Sequence, residues 1–72
     1  VSRYDTSELT ERELQVLDHM RGGAGNRLIA ISLGISERTV KAHVSSILNK
    51  TGAPDRVRLI IGNRGQDGTY EH

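Results

Sequence analysis

The stretch "ISERTVKAHVSSILNKTG", residues 35–52, decides how this chain is read. Ser36 is an N-cap type directly before a helix-forming run, and Gly52 is the residue type that ends one in the left-handed conformation. At roughly 100° per residue, Val40, Val44, Ile47 and Thr51 fall on one stripe, with Leu48 beside it. Arg38, Ala42, Ser45 and Asn49 lie opposite; Lys41 flanks them on one side, and Thr39, Ser46, Lys50 and His43 on the other. A helix kept only for stability would carry Glu–Lys pairs on its outer face. Here the outer face is small, hydrogen-bonding and basic.

Such a face suits close approach to DNA. The major groove is about 12 Å wide, admits one helix, and displays guanine acceptors and the thymine methyl. Lys41 suits the acceptors and Ala42 the methyl, while Thr39, Ser46, Asn49 and Lys50 are of the types that hold phosphates. His43 reads either as a further phosphate contact or as a histidine hydrogen-bonded between helices. A plain surface helix is the alternative for the whole face.

The flanking sequence builds a domain around this helix. "LTERELQVLDHM" starts a first helix with a capping box, Thr10 with Glu13 three residues on; Leu9 can staple onto Leu14, and Val16, Leu17 and Met20 continue an apolar stripe with Glu13 on its margin. "RGGAG" is a turn. "NRLIAISLG" is a short second helix with Ile29, Ala30 and Leu33 inward, ended by Gly34. Two helices joined through Gly34 by a tight turn make a helix-turn-helix. "PDRVRLIIGNRG" opens a fourth helix, with Pro54 in its first turn and Asp55 by its dipole; Gly62 and Gly65 erode it. The expected architecture is all-α: four helices, the third for recognition. Residues 1–8 read as a linker or disordered N-terminus, 9–63 as the domain, and 64–72 as a disordered tail.

Composition narrows the function classes. The 72 residues include no Cys, Phe or Trp, so the core is aliphatic and neither a disulfide framework nor a thiolate metal site can form. The net charge is only +1, yet residues 21–64 hold eight basic side chains against Glu37 and Asp55, whereas residues 1–20 hold two against five acids. That segregation fits either a phosphate-facing surface or a solvated arginine-rich one. No apolar run reaches membrane-spanning length and no signal peptide is visible, which fits a cytoplasmic protein without membrane association. No carboxylate is spaced to orient His43 toward Ser45 or Ser46, so a nucleophilic enzyme is not expected, nor is any cofactor or metal. The start at Val1 suggests the C-terminal piece of a longer protein.

"LTERELQVL", "NRLIA" and "LGISERTVKAHVSSILNKTG", followed by Arg56, resemble the LuxR/NarL (GerE) helix-turn-helix domain of bacterial transcription regulators, with spacing intact over residues 9–61. The most specific part is "TVKAHV". The resemblance implies double-stranded DNA as partner, a third helix in the major groove, base contacts from Lys41, Ala42 and Ser45, and a backbone contact from Thr39. Arg38, Ser46, Asn49, Lys50 and Arg27 complete the expected backbone set. It also implies a homodimer through the fourth helix, a receiver or sensor domain upstream, and RNA polymerase as a candidate partner. Leu59 would point inward, leaving Val57 and Ile61 either as a dimer seam or as a face covered by a parent domain. Four positions depart from the pattern: Gly25 for a Ser or Thr cap, Leu28 for Glu, His19 for an apolar residue and Thr51 for Leu. Two other readings are a sigma-factor promoter-reading segment, against which "AHV" argues, and a helical protein-interaction module that has lost DNA binding.

Overall fold

The computed structural model describes residues 4–64. It contains four helices in the order α1 (Glu11–Arg21), α2 (Asn26–Leu33), α3 (Glu37–Thr51) and α4 (Arg56–Arg64), with no strand among the described residues.

Each helix boundary has a local cause. Thr10 Oγ1 accepts from the Glu13 N–H at 3.1 Å while Glu13 Oε1 accepts from the Thr10 N–H at 2.9 Å, closing the expected capping box. Two helix donors are thereby satisfied before any tertiary contact forms. Helix α2 starts at Gly25 with no side-chain cap and ends at Gly34, whose φ of +71° is a left-handed conformation that only glycine adopts cheaply. The Ile35 N–H reaches back to the Ala30 carbonyl at 3.0 Å and completes a Schellman closure. Ser36 then caps α3 by accepting from the Thr39 N–H at 3.0 Å, so one residue, Ile35, separates the Gly34 cap of α2 from the next cap.

The core is aliphatic. Val16, Leu17 and Met20 of α1, Ile29 and Ala30 of α2, Val40, Val44 and Ile47 of α3, and Leu59 of α4 are all buried. Helix α3 is central, pairing most extensively with α2 and α1 and also touching α4. Its buried stripe is the one the sequence periodicity gives, Thr51 included. Leu33 and Leu48 are half-buried at its margin.

Several boundaries differ from expectation. Residues 4–8 are not a free linker: Tyr4 packs against the core, and the Leu9 N–H reaches the Thr6 carbonyl at 3.2 Å. An aromatic ring near an aliphatic core lowers its free energy by covering it. Leu9 is buried, but Leu14 remains 44% exposed, so the staple contributes little. Asp55 caps α4, accepting from the Arg58 N–H at 2.8 Å, and Pro54 precedes the helix rather than entering it. Gly62 lies within α4, which continues to Arg64. Of the tail expected at 64–72, Arg64 is the last residue of α4, and 65–72 lie outside the described residues, as do residues 1–3.

Helix α4 has a decided inner side. Leu59 is fully buried, whereas Val57 and Ile61 are 61% and 51% exposed. Leu59→Ala should therefore cost about 2–4 kcal/mol, and Val57→Ala no more than about 0.5 kcal/mol. Urea unfolding of the two variants checks this; equal losses would mean that α4 is seated by the other face.

Candidate nucleic-acid interface

The outer side of α3 presents Arg38, Thr39, Lys41, Ala42, Ser45 and Asn49, all exposed. Ala42 lies among them, so the helix backbone can approach a surface closely there. Among the described residues, the side chains of Arg38, Lys41, Ser45 and Asn49, and of Arg27 on α2, make no hydrogen bond or ion pair. Their donors face water and are available to a ligand. Thr39 is partly engaged: its hydroxyl lies 2.9 Å from the Ser36 hydroxyl at the cap. His43 is half-buried and makes no hydrogen bond among the described residues, which fits neither expectation for it in full.

Two expected members turn elsewhere. Ser46 donates to Glu13 Oε2 at 2.6 Å, and Lys50 Nζ sits 2.8 Å from Glu13 Oε1. On the helical wheel they share a line with Thr39, but α1 covers that line along the C-terminal half of α3. Ser46 is thus committed to α1 and leaves the set of free backbone-contacting groups. Lys50 stays about one-third exposed at the edge of the same tie.

The Glu13 carboxylate is buried, and that alone raises its pKa. Hydrogen bonds from Lys50, Ser46 and the Thr10 backbone, together with the Lys50 charge, outweigh burial and bring it from 4.5 down to about 2. Glu11 and Asp18 project from roughly the opposite side of α1, given 3.6 residues per turn. The acids of α1 therefore either neutralise Lys50 internally or face away from α3, and the outer face of α3 keeps its positive charge.

The sequence departures are absorbed locally. Leu28 is 54% exposed on α2, so it adds apolar surface rather than core. The Thr51 hydroxyl donates to the Ile47 carbonyl at 2.8 Å, so the buried polar atom is satisfied. His19 Nδ1 donates to the Gln15 carbonyl at 2.9 Å within α1. One contact that the pattern alone did not define is the guanidinium of Arg56, which donates to Asn26 Oδ1 and, at 3.0 Å, to the Ala24 carbonyl.

Residues 7–62 match the family described as bacterial regulatory proteins, luxR family. The chain belongs to this family. It is similar to the glycerol metabolism activator of Pseudomonas putida, 49% identical over 74% of this chain and 24% of that protein. The transcriptional regulatory protein DegU of Brevibacillus brevis is 49% identical over 74% of this chain and 22% of its own length. The nitrate/nitrite response regulator protein NarP of Escherichia coli is 47% identical over 76% of this chain and 26% of its own. The chain thus spans about a quarter of the length of these relatives. No solved structure matches it significantly. This is a LuxR-type helix-turn-helix domain, the DNA-binding part of transcription regulators rather than of enzymes. Among the described residues no helix is long and apolar enough to cross a membrane.

The Glu13 tie has a pH signature. Because the folded pKa is depressed, its contribution is complete above about pH 4.5 and is lost as pH falls toward 2. A shift of this size corresponds to at most about 3 kcal/mol. Glu13→Gln keeps an acceptor for the capping box but has no charge to titrate. The stability gap between wild type and this variant, from urea unfolding at a series of pH values, should close between pH 4.5 and 2. A gap constant with pH would mean that the carboxylate is not held as described.

Proposed function

We propose that this luxR-family domain is the DNA-reading end of a longer cytoplasmic bacterial regulator, with α3 inserted in the major groove. Lys41, Ala42 and Ser45 face the bases, and Thr39, Arg38, Asn49 and Arg27 take backbone phosphates, with Lys50 contributing from its exposed edge. One observation carries this reading: on the exposed side of α3, Arg38, Lys41, Ser45 and Asn49 surround Ala42 with donors that have no partner among the described residues. A soluble helix gains nothing in stability from leaving those donors free. A polyanion with acceptors in a groove of helical width accounts for both the charge and the small residue at the centre.

Two copies are proposed to pair through α4, at Val57 and Ile61, on a roughly palindromic operator. The exposed apolar pair on that helix supports this. A receiver or sensor domain would precede the described domain in the full-length regulator, as the fraction of its relatives that the chain covers leaves room for, and RNA polymerase is the candidate downstream partner.

Binding to random duplex DNA across a salt series tests the interface. The expected log–log slope is several, at about −0.9 per phosphate neutralised. Arg38→Ala should lower it by about one phosphate and weaken binding to every sequence alike. Lys41→Ala should instead cost about 1–3 kcal/mol on a selected site and relax its sequence preference. No binding at low salt by the folded chain removes this reading.

Sedimentation on the selected operator tests the pairing. Wild type should bind as two copies, and Val57→Glu with Ile61→Glu should reduce this to one. An unchanged stoichiometry would place the seam elsewhere.

A further inference from the structure

The turn between α1 and α2 is the loosest part of the described backbone by composition. Residues 22–25 include three glycines, and Gly23 has φ +93°. Glycine gives a segment many alternative conformations, so something else must hold it. On the α1 side, backbone N–H groups of Gly23 and Ala24 reach the Met20 and His19 carbonyls at 2.9 and 3.1 Å. On the far side, the start of α2 has no side-chain cap. Among the described residues, the only side chain hydrogen-bonded to this segment is Arg56, which grips the Ala24 carbonyl and the Asn26 side chain.

A guanidinium is a planar fork, so a two-point grip fixes orientation as well as distance. Arg56 opens α4, and the exposed Val57 follows it directly, with Ile61 one turn on. The other end of the grip is the first residue of α2, and α2 packs on α3 more extensively than any other pair of helices does. The face of α4 proposed for pairing is therefore tied to the unit that carries the recognition helix by the Arg56 fork at its first turn, in addition to the packing of Leu59 in the core.

We propose that Arg56 determines the half-site spacing that this domain accepts on DNA. It is a positioning residue and touches no nucleic acid. This inference rests on the paired reading given above. When two domains meet through α4, any play between α4 and the α2–α3 unit becomes play between the two recognition helices. Adding one base pair moves a half-site by about 3.4 Å and turns it by roughly 35°. A stiff clamp rejects that displacement, whereas a slack one follows it.

The test uses the 72-residue chain and a duplex that it selects from a random library. One base pair is then inserted or deleted between the half-sites, and affinities are measured by fluorescence anisotropy beside an isolated half-site. Wild type should lose about tenfold on the respaced duplexes, comparable to one mismatched pair. Arg56→Gln should lose only a small part of that, with its half-site affinity as in wild type. Asn26→Ala, which removes one acceptor and leaves the Ala24 carbonyl, should fall between them and serves if Arg56→Gln is poorly folded. Arg56→Lys, which can still reach one acceptor, should restore part of the discrimination. An undiminished spacing penalty in Arg56→Gln and Asn26→Ala overturns the proposal. So does an equal loss on half-site and full site, since that is mere structural damage. A wild-type chain indifferent to spacing removes the paired reading, and this proposal with it.

Discussion

A carboxylate taken out of water has to be met by donors, and the whole arrangement of α1 against α3 follows from how Glu13 is met. One oxygen closes the capping box of its own helix and accepts from Lys50; the other accepts from Ser46. An ion pair of this kind, with only the carboxylate fully buried, adds little net stability over an apolar pair of the same shape. Its effect is on geometry, because removing any partner leaves a buried polar group unsatisfied, and only one rotation of α3 supplies both donors. That rotation decides which side of α3 is outside. Had α3 turned to release Ser46 and Lys50, its aliphatic stripe would have left the core.

This constraint also explains where the sequence was legible and where it was not. Helix ends were readable because their causes are local: Thr10 with Glu13, Ser36, Gly34 and Gly52 each act within a few residues. The stripe of α3 was readable because its period is that of the helix. The roles of Ser46 and Lys50 were not readable, since a helical wheel gives direction but not the neighbour, and their partner lies more than thirty positions away. Thr39 shares their line on the wheel and stays exposed, because α1 covers only the other end of α3. Tyr4 and Arg56 escaped the local reading for the same reason, being tertiary contacts without a short-range pattern. The start of α4 was misplaced because Pro54 and Asp55 are both helix-start residues, and only the hydrogen bond to Arg58 separates cap from first turn.

The departures from the family pattern show how little each one disturbs. A threonine in a core costs free energy when its hydroxyl is unpaired, but Thr51 returns its own to the backbone four residues earlier. The uncapped start of α2 is a larger loss, and it coincides with the glycine-rich turn. Those two weaknesses meet at one place, the place that Arg56 holds. A cap would satisfy only local donors, whereas a guanidinium from α4 links that turn to a distant helix as well.

The free donors on α3 have a stability consequence of their own. Concentrating positive charge between residues 21 and 64 raises the self-repulsion of the folded state, and exposed Arg38 and Lys41 pair with no acid among the described residues. A domain of this size has little stability to give up. The fold answers by placing its ordering contacts away from the exposed face: caps at the helix ends, aliphatic side chains on the inner stripe, and the Lys50–Glu13 salt bridge on the side of α3 that meets α1. The outer side of α3 is then free to be selected for what it touches rather than for what it stabilises, and in the proposed complex a phosphate backbone would supply the missing counter-charge.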